Sequence, residues 1–169
     1  MKTIESVIGR DLQWVQPRFF KHYYELRNLS TLVAKLEIPK VFSAAARAES
    51  ADGCWVLNQK GIWKGTITVS ACGDETPVAT FPETRLSTKQ PLPLAGGETL
   101  MLRSDFFGWT HTLQTETGEL LLQVKRRGLF KSGYAVDLRR RGASYAELPW
   151  LVFLVFYFMI LRERRARAH

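Results

Sequence analysis

The chain has 169 residues, 46% of them hydrophobic and 24% charged, which suits one globular domain with a real core and excludes a disordered chain. The formal net charge is +8, and the imbalance is local: thirteen basic and thirteen acidic residues precede Leu120, and eleven basic and three acidic ones follow from it. Such asymmetry points to an acidic partner, a membrane surface or nucleic acid, or else to a solvated surface on a basic protein.

Residues 1–16 read as an N-terminal extension of helix or strand character. Glu5, Arg10 and Asp11 interrupt any apolar run there, so no secretory leader is expected and a cytoplasmic location is. A single domain is expected over residues 17–169. From Pro17 to Gly142 the chain reads as strands, because apolar side chains recur with period two. Leu32, Ala34, Leu36 and Ile38 alternate with Val33, Lys35 and Glu37, and Ile67 and Val69 alternate with Thr66, Thr68 and Ser70. Leu120, Leu122 and Val124 oppose Gln123 and Lys125, and Tyr134, Val136 and Leu138 oppose Asp137 and Arg139. One greasy and one wet face suits a sheet lying on a core.

Turn residues punctuate these runs at Asp52-Gly53, Gly73-Asp74, Gly96-Gly97, Thr117-Gly118 and Ser132-Gly133. At a usual spacing of about 8–12 residues the region holds roughly ten to twelve strands, which must close or stack. The segment Asp52-Gly53 followed by Lys60 to Gly65 is echoed weakly by Thr117-Gly118 followed by Arg127 to Gly133. Cys54 and Cys72 lie in no CxxC and have no histidine at ligand spacing, so neither zinc nor a disulfide framework is expected, and a reducing compartment is.

Leu148 to Leu161 is apolar on every side and ends at Arg162. Pro149 suits a first helical turn, the arginines suit a helix C-terminus, and Ser144 with Glu147 matches a capping box that would start the helix earlier. A helix greasy all round must be surrounded by lipid or protein. Fourteen residues reach about 21 Å, short of the roughly 30 Å of a bilayer core, and a span would carry Arg162 to Arg167 across against the positive-inside tendency. The expected fold class is therefore mainly β: a closed antiparallel barrel around a buried helix at about 148–161, with Trp150, Phe153, Phe156 and Ile160 facing the strands.

A run of short strands ending in such a helix resembles the tubby-like superfamily, which includes tubby C-terminal domains, LURP-one-related proteins and phospholipid scramblases. Tyr24-Glu25-Leu26-Arg27, Phe42 to Ser50, Asp52-Gly53-Cys54-Trp55, Lys60-Gly61-Ile62-Trp63 and Leu148 to Leu161 carry the likeness, which spans the chain from about Arg18. The resemblance implies a lipid-binding or membrane-associated module without a shared catalytic constellation. Where scramblases have an acidic calcium-binding stretch before the final helix, this chain has Asp137-Leu138-Arg139-Arg140-Arg141-Gly142, so calcium-dependent scrambling is not expected. A scramblase-like protein anchored by its C-terminus is the alternative.

No P-loop, Rossmann glycine pattern, nucleophile elbow or metal spacing is present, and no enzymatic activity, cofactor, metal or small-molecule substrate is expected. His111 alternates with Trp109 and Leu113 and reads as a core histidine. Gly53-Cys54-Trp55 and Gly61-Ile62-Trp63 match the minimal lipocalin G-x-W, but a central helix would fill the cavity such a small-ligand carrier needs. The candidate lipid-binding residues are Lys125, Arg126, Arg127, Lys131, Arg139, Arg140 and Arg141. They are expected to meet an anionic membrane surface. Aromatics do not interleave with them in sequence, which argues against nucleic acid.

Overall fold

The structure, a computed structural model, describes residues 1–17, 22–39, 45–61, 65–82, 88–128 and 133–168. Twelve antiparallel strands form one sheet. In chain order they are β1 (Leu12–Val15), β2 (Tyr23–Asn28), β3 (Thr31–Glu37), β4 (Ala46–Ser50), β5 (Gly53–Lys60) and β6 (Thr66–Ala71). The second half comprises β7 (Ala79–Pro82), β8 (Lys89–Pro93), β9 (Thr99–Ser104), β10 (Thr110–Thr115), β11 (Leu120–Arg126) and β12 (Tyr134–Leu138). A single helix, α1 (Leu148–Ala168), ends the chain.

Each strand pairs with its sequence neighbours except β7 with β8, and β1 also pairs with β12, so the meander curls into a nearly closed barrel whose seam lies between β7 and β8. Closure removes the exposed edges that a flat sheet of this size would present. At the seam a side chain replaces a ladder: buried Gln90 donates to Pro82 O at 2.5 Å and to Pro91 O at 3.0 Å. Pro91 and Pro93 lie on β8, where prolines lacking an N–H suit an edge strand. The described parts of the two echo segments border β5 and β11, the fifth strand of each six-strand half.

The interior is the helix. Residues Leu151 to Tyr157 and Met159 are fully buried, and Leu148, Trp150, Ile160 and Leu161 are nearly so. Inward side chains of the strands meet them at the period the sequence shows: Leu36, Ile67, Val69, Leu122, Val124, Val136 and Leu138 are all core. Val33, placed on the wet face by strict alternation, is also buried, because the β2–β3 register slips between Leu26 and Arg27, and a bulge redirects the extra side chain. Phe156 stacks on Trp14 at 4.6 Å and 6° and meets Tyr24 and Tyr134 edge-on at 5.1 and 5.0 Å.

Four expectations change. Residues 1–16 are not a detached extension: β1 closes the barrel between β2 and β12, and Ile4, Val7, Leu12 and Trp14 are core. The helix runs beyond Leu161 to Ala168, because arginines are good helix formers and interact well with its C-terminal dipole. It starts at Leu148 without a capping box, since Ser144 Oγ donates instead to Arg141 O at 2.7 Å within a 3-10 turn (Arg140–Ser144) and Tyr145 is extended. Cys54 and Cys72 form a disulfide, with Cα atoms 5.4 Å apart. The β5–β6 register sets them opposite each other one pair beyond Trp55 and Ala71, where Cys72 N–H donates to Cys54 O at 3.0 Å. Cysteine usage therefore no longer argues for a reducing compartment.

Candidate functional site

An even meander sends alternate connections to opposite ends of the barrel. At the end where α1 begins lie the N-terminal residues and the turns carrying Asp52, Asp74, Glu75, Glu98, Glu116 and Glu119. The end where α1 emerges gathers Arg103, Lys125, Arg126 and Arg127 with the helix arginines Arg162, Arg164, Arg165 and Arg167. Seven of the basic residues that follow Leu120 thus lie at the helix-exit end, and Arg139, Arg140 and Arg141 lie at the other. Among the described residues no helix is long and apolar enough to cross a membrane.

The expected lipid-binding residues divide between the two ends. Lys125, Arg126 and Arg127 close β11 at the helix-exit end. Arg139, Arg140 and Arg141 follow β12 at the other, where Arg139 pairs with Asp137 at 2.9 Å and Arg141 with Glu119 at 3.0 Å. They are a separate group, partly neutralised by local carboxylates. Lys131 lies outside the described residues.

Sequence reasoning missed the β9–β10 turn, Asp105-Phe106-Phe107-Gly108-Trp109. Phe106 is 83% exposed, Phe107 77% and Trp109 38%, an unusual grouping for large apolar side chains on a surface. Trp109 O accepts the Arg126 N–H at 2.8 Å, and the Arg126 guanidinium lies over the indole, 5.7 Å from its centroid. Cation and aromatics absent from each other's sequence neighbourhood are thus adjacent in space. The available signal was the sequence Phe-Phe-Gly-Trp inside an otherwise alternating hairpin.

Several interactions shape this turn. The Asp105 Oδ1 atom accepts from Trp109 N–H at 2.7 Å and Thr110 N–H at 3.2 Å. Arg162 of α1 donates to Ser104 Oγ and, at 3.1 Å, to Phe106 O. Gly108 has φ +72°, which favours glycine, and a Cβ there would fall 2.9 Å from Arg162 Nε, so a larger residue would also have to displace the guanidinium crossing it. On the neighbouring hairpin Arg127 donates to Gln13 Oε1 at 2.5 Å, and Tyr134 OH donates to Glu163 Oε2 at 2.7 Å. Burial, then the Glu163 carboxylate, pushes the Tyr134 phenol far up.

In sequence, Arg18-Phe19-Phe20-Lys21, Ile62-Trp63-Lys64 and Leu129-Phe130-Lys131 also set aromatic or apolar residues beside basic ones. These lie outside the described residues.

His111 is a buried core histidine, as its alternation implied, but its Nδ1 has no hydrogen-bond partner among the described residues. Burial, and then Arg162, lowers its pKa to about 4, against a smaller opposing effect of Asp105. It is neutral near pH 7, and among the described residues no carboxylate hydrogen-bonds to it to make an acid–base pair. Two surface clefts, of about 360 and 430 Å³, lie elsewhere: one over Asn58, Thr68 and Ser70 on the outside of β5 and β6, the other at the seam beside Ala79, Leu94 and Trp150. Among the described residues no group of three or more His, Cys, Asp or Glu side chains is placed to hold a metal ion.

No family model matches the chain, and neither a curated protein nor a solved structure matches it.

Proposed function

We propose that the protein is a non-catalytic module that binds anionic membrane surfaces peripherally, end-on, through the helix-exit end of the barrel. The observation that carries this reading is the conjunction there of Lys125, Arg126 and Arg127 with the exposed Phe106, Phe107 and Trp109. Cations near an anionic leaflet contribute about 1 kcal/mol each, enough together for reversible, salt-sensitive attachment. The acidic turns of the opposite end favour the same orientation, since they would be repelled by the lipid. Tubby-like proteins, which the strand run and terminal helix resemble, are described as membrane-associated, and the reading agrees with that family.

Attachment by the C-terminal segment is the weaker alternative, because its apolar residues already fill the barrel. Releasing them into lipid would empty the core. Co-sedimentation with anionic vesicles, neutral vesicles and duplex DNA at low and moderate salt tests the proposal. Binding to anionic vesicles that weakens with salt is expected. Equal indifference to both vesicle types rejects the reading, and binding to DNA alone moves the function to nucleic acid.

A further inference from the structure

We infer that the β9–β10 turn is a membrane wedge: Phe106 and Phe107 enter the acyl-chain boundary of an anionic bilayer while Trp109 and Arg126 rest at headgroup level. This rests on the anionic-surface reading and deepens it, since charge alone would leave the protein above the headgroups. Phe106 and Phe107 meet edge-on, ring centroids 5.4 Å apart at 86°, and form the most exposed aromatic pair among the described residues. Behind them Trp109, partly exposed and capped by the Arg126 guanidinium, is of the type enriched where an apolar medium meets water.

The wedge is held in shape before it meets lipid. Asp105 ties the turn to itself through Trp109 N–H and Thr110 N–H. Arg162 ties it to the central helix through Phe106 O and Ser104 Oγ. Binding therefore orders little chain, and the transfer of apolar surface is not spent on fixing a loop. A protruding tip on a basic end also favours a bilayer over a second copy of the chain, because two such ends would bring Lys125, Arg126 and Arg127 against their own kind.

The test compares the full chain with a Phe106→Ser/Phe107→Ser variant on vesicles of phosphatidylglycerol and phosphatidylcholine, in low salt and at about 0.5 M, where charges beyond roughly 4 Å are screened. Both side chains are exposed, so the variant should unfold at the same temperature as the parent, which is measured first. Each aromatic transferred from water is worth about ten-fold in partitioning. The variant should lose about a hundred-fold in low salt, and only the parent should retain binding in high salt. A variant that partitions like the parent in both salts overturns the wedge and leaves the anionic-surface reading standing. A parent that ignores anionic vesicles overturns both. A parent that self-associates without lipid, and becomes monomeric in the variant, makes the tip a contact between copies and also overturns the wedge.

Discussion

Phe156 is the side chain on which the union of barrel and helix can be measured. It is fully buried at mid-helix, stacked on Trp14 of β1 and edge-on to Tyr24 of β2 and Tyr134 of β12. Replacing it with alanine removes a benzyl group from a site walled by three rings held on separate strands, so collapse into the cavity is restricted. Truncating a buried phenylalanine costs about 3–5 kcal/mol, and aromatic pairs contribute about 0.5–1.5 kcal/mol beyond their area. With three such pairs lost, the upper part of that range, about 4–5 kcal/mol, is expected for Phe156→Ala. Urea unfolding followed by far-UV circular dichroism measures it, and a cycle with Trp14→Ala should show coupling above about 0.5 kcal/mol because the rings touch. A loss below about 1 kcal/mol, or strict additivity with Trp14→Ala, would refute an enclosed helix.

Deleting Leu148 to His169 should leave an aggregating or unfolded chain, since it removes the barrel interior; a truncated protein that stays monomeric and β-rich by circular dichroism would contradict this. His111, with its folded-state pKa lowered to about 4 from 6.5, binds fewer protons folded than unfolded between those values. Stability should therefore be full above about pH 6.5 and fall by up to about 3 kcal/mol as the pH drops to 4, and the slope should flatten in His111→Leu when melting temperature is followed against pH. Replacing Cys54 and Cys72 together by alanine should cost up to about 3 kcal/mol in the chain-entropy model, read as a lower urea midpoint that reducing agent reproduces in the parent but not in the variant.

Much of the barrel was legible because its strands are wet on one side and greasy on the other, and because α1 is greasy all round. Leu36, Val69, Val124 and Leu138 fell on the core face by alternation alone. Trp14 did not, although Leu12, Gln13 and Trp14 alternate, because a four-residue strand carries too little periodicity to distinguish it from an extension. The disulfide was hidden for a related reason: residues 18 apart face each other only once the β5–β6 register is known. Basic runs were visible as residues but not as a site. Which end of a barrel Arg127 and Arg139 occupy depends on strand parity, and a run of one strand between them sends them to opposite ends. Nothing in the sequence marked Phe106 and Phe107 as exposed, since hydrophobicity alone does not say which way a turn points.

The proposed attachment is tested most directly by two charge reversals made on opposite ends of the same protein. One variant changes Lys125, Arg126 and Arg127 to glutamate, and the other changes Arg139, Arg140 and Arg141; both replace three cations by three anions, so net charge is controlled. Binding isotherms on anionic vesicles at low salt are expected to lose at least about a hundred-fold for the first, from about 1 kcal/mol for each cation removed and the repulsion added, and several-fold or less for the second. Equal losses in the two variants would make the attraction a matter of net charge alone and contradict end-on attachment, as would a larger loss in the second.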